Sequence, residues 1–270
     1  EAVEVTGGRF WAPYNSRISG AAEAPLAPPG PNQPRAADPR FKYRNPIDLS
    51  NPKLRKLAAA LGPAYMRVSG SWLNATYFQD NDEPALKTPP EGFNGVLTRA
   101  EWKGVVDFAH AVDGEIVSSV ATSMGTRDAK GVWTPQQAKA LLDYTKRIGG
   151  RIAATEFMNE PTLPAISGAG NDYDAKDFGR DAKMFAEFIR RESPHTIFLG
   201  PGSAAEGLEP IPSNILRVIP TKDLMEATGP IFDGFSYHFY STRSRRCNNS
   251  GPGVEKLLTQ EWFQRNLTVE

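Results

Sequence analysis

Within Thr155-Glu156-Phe157-Met158-Asn159-Glu160-Pro161 a carboxylic acid and an amide stand side by side where an apolar run ends in proline. A carboxyl group partly withdrawn from water has its pKa raised, so it keeps its proton near neutral pH and can give it to a leaving group. The Asn159 amide can donate to and accept from a hydroxyl without changing its own charge. Together they make one half of the equipment for cleaving a glycosidic bond, where an acid/base carboxyl works opposite a second carboxylate. Glu156 alternates with Asn159 and is expected to face the core as the partner of an arginine. A glutamate in so short a motif can equally cap the next helix, so its surroundings must decide.

Those surroundings are an alternation of helices and apolar strands. Arg151-Ile152-Ala153-Ala154 leads into the acidic pair as a buried strand, and Pro161 ends it by lacking a donor and restricting Glu160 to extended or turn conformations. Glu160 is thus predicted at the carboxyl end of a strand, where (β/α)8 barrels keep their catalytic side chains. Upstream, Ala2 to Thr6 alternates apolar and polar residues as a short strand, or the tail of one, ended by Gly7-Gly8. About Ser19 to Asn45 is rich in Pro, Ala and Gly and reads as a long surface loop, either solvated or one wall of a cleft. Pro52 to Leu61 is a helix opened by Asn51 and closed by Gly62-Pro63, with Leu54, Leu57, Ala58 and Leu61 on one face. A buried strand, Ala64 to Val68, follows and leaves through Ser69-Gly70-Ser71.

The unit then repeats as helix Thr98 to Val112, strand Glu115 to Val120, helix Thr134 to Ile148, and the strand at Ile152. A loop from Thr162 to Tyr173 precedes helix Ala175 to Arg191, strand Thr196 to Leu199, a helical stretch around Ile211 to Ala227 and strand Ile231 to Tyr240. About five alternations point to a barrel or a doubly wound sheet. No Gly-rich dinucleotide fingerprint follows the first strand, which argues against the nucleotide-binding form.

Asp38-Pro39-Arg40-Phe41, then Asn51 to Leu57 and Leu61-Gly62-Pro63-Ala64-Tyr65-Met66-Arg67-Val68-Ser69-Gly70-Ser71, with Phe157 to Pro161 and Tyr237-His238-Phe239-Tyr240, resemble the heparanase-like glycoside hydrolases, which include bacterial β-glucuronidases. The resemblance covers roughly the whole chain in order. It implies a (β/α)8 TIM barrel carrying a small β-sandwich, retaining hydrolysis, and substrates with β-linked glucuronic acid, such as heparan sulfate. By position, Glu160 resembles the general acid/base and Asn159 the residue that reads the hydroxyl beside the anomeric carbon. Tyr240 resembles the aromatic hydroxyl that holds the nucleophile, and Ser69, Gly70 and Ser71 a loop touching the sugar. Glu1 resembles an acidic substrate contact at the end of the first strand. The family places its nucleophile on a strand after the aromatic segment and a further helix. Glu255, Glu261 and Glu270 lie in a polar, helix-like tail and fit none of that context. Residues 1–270 are therefore expected to be an N-terminal portion of the barrel, with the nucleophile, the last strands and most of the sandwich beyond residue 270.

Other residues narrow the reading. His238, at a strand end, is a candidate general base or sugar contact, whereas His110 in a helix and His195 before a strand are expected to be structural or exposed. Three histidines without paired Cys or acidic spacing argue against a metal site, and no cofactor is implied. Arg243, Arg245 and Arg246 follow the aromatic strand end and are candidates for binding an anionic polysaccharide. Trp72, Tyr77 and Phe78 are expected to pack a loop onto the barrel rim. Asn74-Ala75-Thr76, Asn248-Asn249-Ser250 and Asn266-Leu267-Thr268 fit the glycosylation acceptor pattern. Basic and acidic residues balance at 31 each, so no overall field draws the chain to nucleic acid. No stretch is long and apolar enough for a membrane span, and Cys247 stands alone, which excludes an internal disulfide. The first residues do not resemble a signal peptide, and a start after a removed signal would suit a secreted or periplasmic protein.

Overall fold

A computed structural model describes residues 2–11, 41–170, 172–204, 217–240, 259–261 and 264. Its centre is a curled sheet of five parallel strands, β3 (Ala64–Val68), β6 (Gly114–Ser118), β7 (Ile152–Glu156), β8 (Ile197–Ser203) and β9 (Gly234–Tyr237), in that spatial order. Successive strands neighbour one another and all run the same way, which is half of the strand arrangement of a (β/α)8 barrel. The crossovers are helices: α4 (Arg99–Ala111), α5 (Gln136–Arg147), α6 (Ala175–Glu192) and α7 (Thr221–Thr228), with α2 (Pro52–Ala59) preceding β3.

Local sequence explains their limits. Asn51 caps α2 by accepting from the Lys53 and Leu54 amides, with proline at the first helical position. Thr98 with Glu101 and Asp174 with Asp177 form reciprocal capping boxes at the starts of α4 and α6. The core lies between the sheet and α4 to α6. Phe185 is fully buried on α6, with ring centroids 5.2 Å from Phe198 on β8, 5.4 Å from Phe157 after β7 and 5.7 Å from Trp133. Every residue of β7 is buried, as expected for a central parallel strand.

Several expectations need correction. Ala2–Thr6 is a short helix, α1, not a strand; its Ala2 amide donates to the Ser69 carbonyl at 2.9 Å, and Ala2, Val3 and Val5 are buried. The stretch read as loop to Asn45 contains β2 (Phe41–Arg44), antiparallel to β1 (Gly8–Trp11), while residues 12–40 lie outside the described set. β3 is not a buried strand. It is the outermost strand, exposed over most of its length, and Leu57, Leu61 and Tyr65 beside it are 61%, 78% and 68% exposed. The apolar pattern of α2 and β3 was real, but nothing among the described residues covers it. The last strand, Gly234–Tyr237, is shorter than Ile231 to Tyr240; the helix before it covers Thr221–Thr228, and residues 211–216 of the expected helical stretch lie outside the described set. Missed altogether was a two-stranded parallel sheet, β4 (Thr76–Gln79) with β5 (Gly95–Thr98), reached through the single-turn helix α3 (Ser71–Asn74). Phe78 is buried in the core there, and Tyr77 meets Phe93 edge to face at 5.4 Å.

Candidate active site

The carboxyl ends of β3, β7 and β9 converge. After β7 the chain turns sharply: Glu160 has φ 54°, a left-handed conformation that is costly for a residue with a Cβ. Its amide donates to the Gly202 carbonyl at 3.0 Å, and its own carbonyl accepts from the Leu163 amide at 3.0 Å and the Ser167 hydroxyl at 2.9 Å. Gly202, itself at φ 74°, sits so close that a Cβ there would lie 3.1 Å from the Met158 carbonyl and 3.2 Å from Glu156 Oε1, so a larger residue would crowd both.

The side chains form one connected cluster. Arg67, on β3, uses Nη2 to donate to Glu156 Oε2 at 2.7 Å and to Asn159 Oδ1 at 2.9 Å. Ser236 on β9 donates to Glu156 Oε1 at 2.9 Å, so both oxygens of this buried carboxylate are occupied. His238 Nδ1 lies 3.0 Å from Glu160 Oε1, and the Tyr240 hydroxyl donates to the same oxygen at 2.5 Å. The other ring nitrogen of His238 is 3.2 Å from Arg67 Nη2 and 3.8 Å from Glu156 Oε1. Asn159 Nδ2 donates to Ser71 Oγ at 3.2 Å. Glu160 is thus nearly buried, with its side chain 12% exposed.

Of the residues singled out from sequence, Glu160, Asn159, His238, Tyr240 and Ser71 come together here. Ser69 is buried, its hydroxyl 2.7 Å from that of Ser119, and Gly70, at φ 115°, opens α3 by accepting from the Leu73 amide. Glu1, Arg243, Arg245 and Arg246 lie outside the described residues. Sequence reasoning missed Arg67, Ser236 and Asn74. The one available sign of Arg67 was a charge inside an apolar strand. Asn74 had been noticed only as a glycosylation pattern, but it is fully buried with both amide atoms hydrogen-bonded inside the protein, which leaves no place for a glycan.

The electrostatics correct the first expectation about Glu160. Burial does push its carboxyl pKa up, but hydrogen bonds from His238 and Tyr240 outweigh burial and the net shift is downward. Glu160 therefore rests ionised, in the form of a base. Glu156 is likewise raised by burial yet driven down to about 2 by His238 and Arg67. Burial lowers the His238 pKa, but Glu156 and Glu160 more than offset it and bring it up to about 9.

These shifts predict the shape of stability against pH. His238, raised, contributes stability that is complete below its ordinary 6.5 and is lost as pH rises through about 9. Glu156, lowered, contributes stability present above its ordinary 4.5 and lost as pH falls through about 2. The thermal midpoint should be highest between those ordinary values and should fall from pH 6.5 to 9, a fall that His238→Asn removes. A midpoint that stays level over that alkaline range would contradict the assignment.

Among the described residues no group of three or more His, Cys, Asp or Glu is placed to hold a metal ion, and no helix is long and apolar enough to cross a membrane.

Comparison with solved structures finds likenesses in fold at low sequence identity. A family 51 α-L-arabinofuranosidase from Bifidobacterium longum matches with a TM-score of 0.51 at 15% identity, over 80% of this chain and 44% of that one. A family 86 glycoside hydrolase variant in complex with neoagarooctaose gives 0.43 at 13% identity, over 72% of this chain and 36% of that one, too distant to carry weight. The chain spans less than half the length of either. By sequence it matches no protein-family profile and no curated protein. The first likeness shows the fold alone: an α/β half-barrel whose sheet, among the described residues, ends at β3 on one side and β9 on the other.

Proposed function

We propose that this chain carries the acid/base half of a retaining glycosidase that cleaves β-linked glucuronic acid, in glycans such as heparan sulfate. The observation that carries the reading is Glu160 itself, held at the end of a central strand, almost withdrawn from water and fixed by His238 and Tyr240. Glu160 protonates the glycosidic oxygen while a second carboxylate attacks the anomeric carbon from the opposite face. It then takes a proton from water as the glycosyl-enzyme is hydrolysed with retained configuration. Asn159, steadied by Arg67 and Ser71, reads the neighbouring sugar hydroxyl.

The attacking carboxylate must lie about 5 Å from Glu160. Glu156 cannot serve, because it is buried with both oxygens engaged by Arg67 and Ser236. Among the described residues β9 has β8 as its one neighbour in the sheet, an arrangement that suits a further strand bringing the nucleophile. Its arrival supplies what the resting site lacks: a like charge beside Glu160 and a sugar that excludes water both raise its proton affinity. The glucuronate specificity is supported by the family resemblance of the strand ends, with Ser71 beside Asn159 at the sugar.

A panel of aryl glycosides tests this with the full-length protein. Turnover of the β-glucuronide, at least about tenfold above the xyloside and arabinoside in kcat/KM, is expected, since a site built to pair a carboxylate discriminates strongly against sugars lacking it. Preference for the neutral sugars would reassign the substrate to that of a related barrel glycosidase. No turnover of any of them would leave a barrel that only binds carbohydrate.

A further inference from the structure

Glu160 has a left-handed backbone, and the peptide joining it to Asn159 is gripped from several sides. The carbonyl of that peptide accepts from Asn74 Nδ2 at 2.8 Å and from Ser167 Oγ at 3.0 Å, and its N–H donates to Gly202. Asn74 also accepts the Asn159 amide on Oδ1 at 3.0 Å, so one side chain pairs with both main-chain groups of Asn159 as a neighbouring strand would. Asn74 is itself anchored: its carbonyl accepts from the Thr122 and Ser123 amides at 2.8 and 2.9 Å, in the segment following β6. It is completely buried. A freed peptide would relax toward an ordinary φ, because the left-handed conformation costs about 1–3 kcal/mol in a residue with a Cβ. Such a rotation swings the attached side chain away.

We infer that Asn74 sets the direction of the Glu160 carboxyl by pinning the Asn159–Glu160 peptide, and is a positioning residue for that group. The inference rests on reading Glu160 as the acid/base residue. It also assigns α3, which follows β3, a task beyond touching substrate: it holds the end of β7 from the far side of β6.

The test combines titration of the His238 imidazole by NMR with kinetics on an aryl glycoside, both in the full-length protein. Asn74→Ala should lower the His238 pKa by about one pH unit or more as Glu160 moves off, since a carboxylate partner at hydrogen-bond distance is worth about that much. It should cut kcat about tenfold or more with KM changed less than about twofold, the pattern of a group lost from the transition state alone. Asn74→Asp regains a donor only while its buried carboxyl is protonated, so its activity should recover toward low pH, which general loosening of the fold would not produce. Ser167→Ala removes the lesser grip and should shift His238 in the same direction by less; it serves if neither Asn74 variant folds. An unchanged His238 titration in every variant that folds overturns the role of Asn74 and leaves the proposed activity standing. Absence of glycosidase activity in the unaltered protein overturns the activity, while the titration still decides whether Asn74 directs Glu160.

Discussion

Glu160→Gln in the full-length enzyme should lower kcat on the natural polysaccharide by about 100- to 10,000-fold, the ordinary worth of a positioned proton donor. The amide keeps the shape of the side chain and can still meet Tyr240 and His238, but it has no proton to transfer. The size of the loss depends on the leaving group. A sugar alcohol departs as a strong base and needs protonation as its bond breaks, whereas a dinitrophenolate is stable as an anion. An aryl glycoside with that leaving group should therefore lose no more than about tenfold in the bond-breaking step. The contrast between the two substrates is the informative quantity, since a misplaced strand end would slow both alike. Unchanged cleavage of the polysaccharide would remove Glu160 from the chemistry.

The largest expected effect on stability lies away from that site. Asp181, on α6, is fully buried and accepts from Arg127 Nη1 at 2.7 Å, from Arg180 Nε at 2.8 Å and from the Tyr173 hydroxyl at 3.2 Å. Arg127 is itself only 2% exposed, with its guanidinium 4.6 Å from the Tyr173 ring centre. Asp181→Leu leaves that guanidinium charged and without a counter-ion in the interior. Breaking one side of a buried pair costs about 3–5 kcal/mol, against a total stability of about 5–15 kcal/mol for an ordinary domain. Replacing both partners, Arg127→Met with Asp181→Leu, should return most of the loss, because an apolar pair of similar volume leaves no charge to solvate. Denaturant titration of the three variants gives the comparison. A single variant within about 1 kcal/mol of the parent would mean that water reaches Arg127.

Much of the framework was legible because buried parallel strands and capped helices announce themselves locally. Asn51-Pro52, Gly62-Pro63 and the apolar approach to Glu160 each carried their own punctuation, and the helices from α4 to α6 fall within a few residues of where the periodicity puts them. Where reading failed, the determinant was remote in sequence. Ala2 to Thr6 alternates like a strand but is too short for periodicity to decide, and its place beside Ser69 makes it a helix. β3 carries the apolar sequence of an interior strand, and only the sheet order shows that it is outermost. In the site, Glu160, Asn159 and His238 were visible because they cluster at strand ends. Asn74 was hidden, since its partner lies 85 positions away. The charge state of Glu160 was misjudged for the same reason: burial can be guessed from neighbours, whereas the opposing contacts come from residues 78 and 80 positions downstream.

Ser236 lies on β9 and His238 and Tyr240 follow it directly; among the described residues β9 is flanked in its sheet by β8 alone. The two groups that keep Glu160 ionised are therefore carried by the direct continuation of one strand. Were that strand displaced, both contacts would be lost in one motion. The separate effects of removing His238 and Tyr240 should then fail to add, because each contact depends on the same strand being seated.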